Sequence, residues 1–360
     1  MLGDAQIPSG SAPTLWMLPP APITKEQTKI YLDHSHWIEL SRARLGISKS
    51  SESVELYALL KKLTAAGRVL VVLSSANYIE SMQATGAVEQ RTHLADVMSE
   101  ISRFAVIRPR EQLLKAEFLL ALHKHLGRPT FPERIVPFGR GFNFAFDGSD
   151  VPQSLPLLDR IPSSLVLPGF DREHVAADIR EMLEYTVLRG NFFAGSDAGK
   201  IFDLDPIRRS EDRQVKREQE LQEMLRSDPK LKTKLDDIIL ARELVWTVGA
   251  DIIPLLARAG TSLEAIMWRG KSWLSEFVTD IPSLAVTMAI RDQRLRGGSR
   301  SFTGNDARDI THLSVAVPYC DIVVTDKDAR NAMKRADLGN RLKTTVLSDL
   351  RTLYEISRAM

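Results

Sequence analysis

The chain has almost no cysteine and no long apolar run. Cys320 is the one cysteine among 360 residues, which excludes an internal disulfide framework and suits a reducing compartment. Residues 1–14 lack the basic start and the apolar centre of a secretory signal. No stretch of about 18 apolar residues is present to cross a bilayer. We therefore expect a soluble, cytoplasmic protein without a membrane partner.

An excess of one charge is also missing. The chain has 48 basic and 46 acidic residues and a formal net charge of +2. A surface that binds nucleic acid would therefore need a local cluster of basic residues. No G-x-G-x-x-G follows a predicted strand, which leaves a dinucleotide site unsupported. "GSDAGKI" at 195–201 is not a phosphate-binding loop, because Ala194 and Ile201 stand where that motif needs glycine and Ser or Thr.

Strand and helix patterns alternate at the two ends of the chain. After an arm rich in Pro, Ala and Ser over residues 1–27, "KIYLD", "RVLVVLS" and "FAVIRP" predict strands within 28–108. "CDIVVTD" and "LKTTVLS" predict two more within 301–360. Such alternation is typical of a parallel sheet with helices on both faces. Residues 109–300 have no long strand signal, so we expect an α/β fold with a large, mainly helical insertion.

Acidic residues fall where a parallel sheet binds ligands, beyond the carboxyl ends of its strands. Asp33 ends the first predicted strand, Asp326 ends the fourth, and Glu80 lies early in the helix after the second. Asp306 and Asp309, three residues apart, share one face of the helix before the fourth strand. Carboxylates at one edge raise each other's pKa. A hard divalent ion relieves that repulsion, and oxygen ligands favour Mg²⁺ or Mn²⁺.

Each acid also has an ordinary structural interpretation. Asp33 fits a turn, Asp306 fits a helix cap, and Glu80 fits a plain helix surface. Asp328, two residues beyond Asp326, fits the cap of the helix that follows. The prediction of a metal site therefore depends on the joint placement of these acids at one edge of the sheet.

Taken in order, these segments resemble the PIN-domain nucleases. "YLDHSHWIEL" is similar to the first strand of that family and its acid, here Asp33, and "VLSSANYIES" to the second acidic segment, with Glu80. "NDARDITHLSVA" is similar to the third segment, where Asp309 is the better match. "DIVVTDKDA" is similar to the fourth strand and its Thr-containing turn. The spacing there leaves Asp326 and Asp328 both open as the fourth acid, and we favour Asp326.

The resemblance covers about 28–107 and 302–352. "PYCDIVVTDK" is similar to larger bacterial PIN-like proteins rather than to the compact toxins of the family, which are far shorter. The resemblance implies a Rossmann-like parallel sheet of the PIN type. It also implies a nuclease, with an endoribonuclease as the expected class, that uses Mg²⁺ or Mn²⁺ to hydrolyse phosphodiester bonds in RNA or another single-stranded nucleic acid.

The expected site residues of such an enzyme form two sets. The catalytic acids are Asp33, Glu80, Asp309 and Asp326, and the metal ligands are the same four with Asp306 added.

A nucleic acid at these acids would need positively charged side chains nearby to contact its phosphates. "RDQRLRGGSR" at 291–300 lies just before the third acidic segment. We hypothesise that it is a mobile phosphate-binding loop, acting through Arg294, Arg296 and Arg300. A solvated linker fits the same residues equally well. Lys327, beside the fourth acid, is a further candidate for phosphate contact.

Several other polar residues are weaker candidates. Asn77 lies one turn before the second acid, and His312 lies one turn after the third. His34 and His36 follow the first acid, where supporting or capping roles are more typical than metal ligation. The run "RRSEDRQVKREQE" at 208–220 mixes both signs of charge and predicts a solvated helix face.

Two other functions stay open. The core can keep the fold as a catalytically inactive scaffold or binding module that acts through its helical insertion, with a regulatory protein or a second copy of the chain as partner. A phosphomonoesterase on a similar sheet is the other alternative, although "DHS" at 33–35 lacks the second aspartate of the D-x-D type. Stabilisation by Mn²⁺ separates an intact acidic site from an inactive scaffold.

Overall fold

Four parallel strands, drawn from both ends of the chain, form the central sheet. The computed structural model describes residues 22–83, 88–127, 134–147, 172–190, 205–244, 249–297 and 300–360. Within those residues the strands are β1 (Thr28–Leu32), β2 (Val69–Val72), β3 (Ala105–Ile107), β4 (Phe138–Arg140), β5 (Ile322–Val324) and β6 (Thr345–Leu347). The "GSDAGKI" segment and residues 1–21 of the predicted arm lie outside them.

The helices of the same residues are numbered in chain order. They are α1 (His34–Arg44), α2 (Ser51–Ala65), α3 (Ser75–Gln83), α4 (Val88–Ser102), α5 (Arg110–Leu126), α6 (Gly141–Asp147), α7 (Arg172–Arg189), α8 (Asp205–Ser227), α9 (Leu235–Arg242, after a 3₁₀ turn at Pro229–Lys234), α10 (Gly249–Arg258), α11 (Leu263–Met267), α12 (Lys271–Thr279), α13 (Pro282–Gly297), α14 (Gly304–Tyr319), α15 (Lys327–Arg335), α16 (Leu338–Leu342) and α17 (Leu350–Ser357). None of the described helices is long and apolar enough to cross a membrane.

The strand order β2-β1-β5-β6 confirms the expected α/β class with a parallel sheet. The strands β2 and β5 are buried along their whole length, which is why they read as continuous apolar runs rather than alternating ones. The chain leaves β1 toward β2 on one side and returns later through β5 on the other. The strand order therefore reverses between β1 and β5, and ligands of open α/β sheets bind at such a point.

The strand predicted from "FAVIRP" forms, but it pairs differently from the other four. It is β3, which runs antiparallel to β4 and meets the central sheet through one parallel bridge at Leu73. Leu73 N donates to Ala105 O at 2.9 Å, and Ile107 N donates to Leu73 O at 2.9 Å. The sequence gives no strand signal at β4, because three residues centred on Gly139 are too few to show a period. A Cβ at Gly139 would collide with the ring of Phe144.

Successive side chains of a strand point to opposite faces of the sheet, so each strand packs against one helical layer on each face. Ile30 and Leu32 pack with α1, α2, α4 and α17 on one face. Tyr31 packs with α14 on the other face, and there Val286 and Ile290 of α13 join the same buried cluster. Helix α13 belongs to the predicted insertion, so that part of the chain helps to cover the sheet.

A buried carboxylate ties the helices of residues 109–300 to α14. Glu117 of α5 is 2% exposed. It accepts hydrogen bonds from Ser283 N at 2.9 Å, Ser283 Oγ at 2.8 Å and Tyr319 Oη at 2.7 Å. The bond to Ser283 satisfies a free amide at the start of α13. These contacts fix α13 against α14, and the two helices carry the residues described next.

Candidate metal centre

The candidate site lies where the strand order reverses. Asp33 follows β1, and its amide donates to Val324 O of β5 at 2.9 Å. The Asp33 side chain caps α1, since Oδ1 accepts from His34 N at 2.7 Å. Parallel pairing thus places the ends of β1 and β5 side by side, and the acid after β1 is held by its own helix.

Three side chains converge at this point. Asp33, Asp309 and His312 each present one ligand atom, and these atoms all lie within 4.8 Å of one another. His312 Nε2 is 3.9 Å from Asp33 Oδ1 and 3.8 Å from Asp309 Oδ1. Asp309 and His312 lie three residues apart on α14, so both project from one face of that helix. Two carboxylates and one imidazole form a ligand set that fits a divalent metal ion.

The imidazole of His312 has no hydrogen-bond partner in the described part of the chain. It is 2% exposed, and neither ring nitrogen makes a hydrogen bond there. The ring lies against Tyr31, with 5.6 Å between ring centroids. Burial lowers the pKa of His312 to about 4, so the ring is neutral at neutral pH. A buried polar group without a partner needs an explanation, and ligation of a metal ion supplies one.

Two carboxyl groups at the site have strongly raised pKa values. Burial, and next the charge of Asp33, raise the pKa of Asp309 to about 7. The same two causes raise the pKa of Glu80 to about 8. Glu80 is flanked by His34 Nδ1 at 3.4 Å and by Arg308 Nη1 at 3.7 Å. Functional sites often contain partly buried carboxyls with raised pKa values, and a bound cation relieves the repulsion between such groups.

Arg294 of α13 is the cation that four aspartates share. Its guanidinium nitrogens lie 3.1 Å from Asp306 Oδ1, 3.7 Å from Asp309 Oδ2, 3.4 Å from Asp326 Oδ2 and 3.1 Å from Asp328 Oδ2. The hypothesis of a mobile arginine loop is wrong for residues 291–297, because they belong to α13. Arg294 is therefore held at the site by its pairing with the aspartates.

The other predicted phosphate contacts are spread over the neighbouring surface. Arg296 pairs with Asp292 on its own helix, at 2.6 Å between Nε and Oδ1. Arg300 Nη2 lies 2.7 Å from Asp306 Oδ1. Lys327 is exposed in the first turn of α15. The two arginines are thus paired with aspartates, and all three side chains are exposed.

Asp306 lies beside the cluster, but both of its oxygens are engaged. Oδ2 accepts from Thr303 N and Thr303 Oγ1, each at 2.8 Å. Thr303 Oγ1 in turn accepts from Asp306 N, which completes a capping box at the start of α14. Oδ1 faces Arg300 and Arg294. Asp306 therefore starts α14 and pairs with two arginines, and its place among the metal ligands stays a prediction.

The fourth acid is also the cap of the following helix. Asp326 Oδ1 accepts from Ala329 N at 2.6 Å at the N-terminus of α15. The sequence interpretation assigns this cap to Asp328, which is wrong, because Asp328 lies inside the first turn and is 60% exposed. The charge of Asp326 also helps to raise the pKa of Asp309. Asp326 therefore acts on Asp309 through its charge, and the choice between Asp326 and Asp328 as the fourth acid stays a prediction.

Asn77 supports the backbone after β2. It is 1% exposed, and its Oδ1 accepts from Ser74 N at 2.9 Å. The hydroxyl of Ser74 lies 3.2 Å from Tyr31 Oη. Asn77 therefore fixes the turn that leads into α3 and so helps to position Glu80 on that helix.

Two partners of the site are not apparent from the sequence. Arg308 contacts Glu80, and its Nε lies 3.3 Å from Glu211 Oε1 of α8. Glu211 belongs to the charged run predicted as a solvated face. That prediction is wrong for Glu211, which is half-buried, and for Glu218, which is 2% exposed. A mixed run of charges gives no sign of which members face inward, because that depends on the partner helix.

Comparison of the chain with protein-family models, with curated proteins and with solved structures finds no match.

Proposed function

We propose that this protein is a divalent-metal-dependent nuclease of the PIN type that hydrolyses phosphodiester bonds in RNA. The observation that supports this most is the convergence of Asp33, Asp309 and the unpartnered His312 within 4.8 Å. They meet at the reversal of strand order, where α/β sheets bind ligands. The order of the acidic segments along the chain also agrees with that family, and so does a parallel sheet built from both ends of the chain.

The residues at the point of convergence fit a metal ion. Asp33, Asp309 and His312 would hold it, and Glu80 stands next to them. A bound ion would supply hydroxide near neutral pH and neutralise charge on the scissile phosphate. The nitrogen of His312 favours a transition metal over Mg²⁺, so we expect Mn²⁺ to bind more tightly than Mg²⁺.

The remaining charges would orient the substrate. Arg294 places a fixed positive charge beside Asp309 and Asp326, where it offsets the charge of an approaching phosphate. Glu80, between His34 and Arg308, would accept a proton from the attacking water once the site is ionised. No side-chain nucleophile is needed for this chemistry.

Metal binding and cleavage are tested together on purified protein. We expect millimolar Mn²⁺ to raise the Tm of the wild type and to support cleavage of a labelled RNA. Asp33→Asn and Asp309→Asn should lose both effects. Asp237→Asn is the matched control, because Asp237 pairs with Lys271 at the surface and should keep both. Cleavage that persists equally in Asp33→Asn and Asp309→Asn would show that the activity arises elsewhere.

A catalytically inactive binding module is the second candidate. Arg294 favours it, since one guanidinium already gives four aspartates a counter-charge without any metal ion. For such a module, Mn²⁺ leaves the Tm unchanged and RNA stays intact, while the fold is as stable as that of the control variant. The Mn²⁺ titration alone therefore separates the two candidates.

A further inference from the structure

An arginine-lined cavity lies near the candidate metal centre, between α8, α9 and α13. Its volume is about 300 Å³, and its charged lining consists of Arg213, Arg217, Arg242, Arg291 and Glu218. Four guanidinium groups thus face one carboxylate. This excess of positive charge is local, since the whole chain is almost neutral, and it suits an anionic ligand.

The floor of the cavity is a buried ion cluster. Arg291 is 4% exposed and forms an ion pair with Glu243, while its Nε lies 3.6 Å from Glu218 Oε1. Arg242 Nη2 lies 3.7 Å from the same oxygen of Glu218, and Arg110 Nη2 lies 3.5 Å from Glu243 Oε2. Three arginines therefore meet two glutamates. Burial, despite the charge of Glu218, lowers the pKa of Arg291 to about 10, and a further anion would stabilise its charged form.

The rim of the cavity carries uncompensated charge. Arg213 and Arg217 lie four residues apart on α8 and share one face of it. Both are exposed, and neither makes a side-chain ion pair with any residue in the described ranges. Charged arginines without a carboxylate partner are free to bind phosphate in the bidentate manner that guanidinium geometry allows.

A second cavity borders the first, and one of its lining residues contacts the acidic cluster. This second cavity, of about 470 Å³, shares Ser210 and Gln214 with the first and is bordered by Arg308. Arg308 contacts Glu80 at 3.7 Å. Glu211, which also contacts Arg308, and Arg217 are six residues apart on α8, or about 9 Å along the helix axis. Helix α8 thus carries both the arginines of the cavity and Glu211, whose partner Arg308 contacts Glu80.

We propose that this cavity binds a backbone phosphate of a single-stranded nucleic acid, on the strand whose scissile phosphate lies at the acidic cluster. The identity of the ligand rests on the proposed function. We expect a single strand rather than a paired duplex to bind, because the arginines line a recess between helices. The arginines would bind the strand and position it, and they take no part in the chemical step.

The test is direct binding of a short labelled RNA, in EDTA so that no cleavage occurs. The variant Arg213→Gln/Arg217→Gln is compared with Lys216→Gln/Arg226→Gln. The second pair removes the same charge from exposed positions of the same helix outside the cavity. Fluorescence anisotropy over a salt series gives both the Kd and its salt dependence. All four positions are exposed, so both variants should fold, and circular dichroism checks this.

We expect the Arg213→Gln/Arg217→Gln protein to bind RNA about tenfold more weakly than the control. Its salt slope should fall by about 0.7 for each backbone phosphate that the variant no longer binds. A double-stranded RNA of the same length should bind the wild type more weakly than the single strand. Equal Kd and equal slope for the two variants would overturn the proposal, and so would a wild type that does not bind RNA.

The outcomes also separate this proposal from the nuclease itself. If the arginine variant loses RNA binding while no Mn²⁺-dependent cleavage exists, the cavity is established and the nuclease proposal fails. If the wild type cleaves RNA and the arginine variant binds as the control does, the nuclease stands and the cavity is rejected.

Discussion

At the scale of single residues, burial decides how the charges of the site behave. Glu80, Asp309 and His312 are not unusual as residue types, but the protein interior raises the pKa of the two acids and lowers that of the histidine. All three shifts make the groups neutral. The metal-free site therefore carries less charge at neutral pH than its residue types suggest. Binding of a cation would favour the ionised form of both carboxyl groups.

The first prediction is that the metal-free protein loses stability as pH rises from about 4.5 to about 8. Glu80 and Asp309 keep protons up to about pH 8 and 7 when folded, but only to about 4.5 and 3.8 when unfolded. The folded state binds more protons in this range, so the free energy of unfolding falls by at most about 1.4 kcal/mol per pH unit for each group. The lowered pKa of His312 makes the free energy of unfolding rise with pH instead, but only below about pH 6.5.

Urea titrations at several pH values in EDTA measure this effect. Glu80→Gln should show a shallower decline than the wild type, and Asp237→Asn should keep the full decline. Saturating Mn²⁺ should abolish it, because ligation keeps the carboxylates ionised. A wild type whose stability is constant over this range would contradict the assigned pKa values.

The second prediction concerns Arg294. Arg294→Gln removes the shared counter-charge of Asp306, Asp309, Asp326 and Asp328. The metal-free Tm should fall, and the increase in Tm caused by Mn²⁺ should be larger than in the wild type, because less competing positive charge remains. Thermal unfolding with and without Mn²⁺ measures both changes. Arg296→Gln, on the same helix but paired with Asp292, is the control and should leave the Mn²⁺ response unchanged.

At the scale of elements, the N-terminus of α14 controls the geometry of the centre. Thr303 and Asp306 form its capping box, and Asp309 and His312 follow one and two turns later on the same helix. The start of the helix therefore sets where the ligand atoms point. The partner acid Asp33 caps α1 in a comparable way, so both halves of the ligand set are fixed by helix N-termini.

The third prediction is that Thr303→Ala lowers both stability and metal response. Loss of the cap should cost about 1 kcal/mol of the free energy of unfolding, and fraying of the first turn should reduce the Mn²⁺-induced rise in Tm. Ser262→Ala is the matched control, because Ser262 caps α11 through Ala265 N, away from the centre. The control should lose stability and keep its Mn²⁺ response. Equal Mn²⁺ responses in the two variants would mean that the cap does not position the ligands.

At the scale of the whole molecule, the helices between the two sheet-forming segments are integral to the site. Helix α13 supplies Arg294 and covers the sheet through Val286 and Ile290. Helix α8 supplies Glu211 to Arg308. Glu117 ties α5 to α13 and α14 by three hydrogen bonds. Stability and site geometry are therefore coupled through helices α5, α8, α13 and α14.

The fourth prediction follows from this coupling. Glu117→Gln weakens three buried hydrogen bonds, because an amide is neutral and its nitrogen cannot accept. The free energy of unfolding should fall by about 1–3 kcal/mol, measured by urea unfolding. Glu220→Gln, at an exposed position of α8, is the control and should change it by less than about 0.5 kcal/mol. A Glu117→Gln protein as stable as this control would show that the three hydrogen bonds of Glu117 contribute little to the free energy of unfolding.

The sequence by itself determined the α/β class and the parallel sheet. Continuous apolar runs such as "RVLVVLS" mark strands buried on both faces, and this signal is local to each segment. Asp33 follows β1 directly and Asp326 lies two residues after β5. Their place at one edge of the sheet could therefore be predicted once the strands were taken as parallel. A strand as short as β4 was not readable, because three residues show no period.

Only the tertiary structure decided which charges meet. Arg294 reaches Asp326 and Asp328 across 32 and 34 residues, and His312 meets Asp33 although they lie near opposite ends of the chain. Such pairs depend on how helices cross and which face each one buries. Periodicity within a segment specifies the buried face but not its neighbour, and for this reason the cation of the cluster and the arginine cavity appear only in the folded chain.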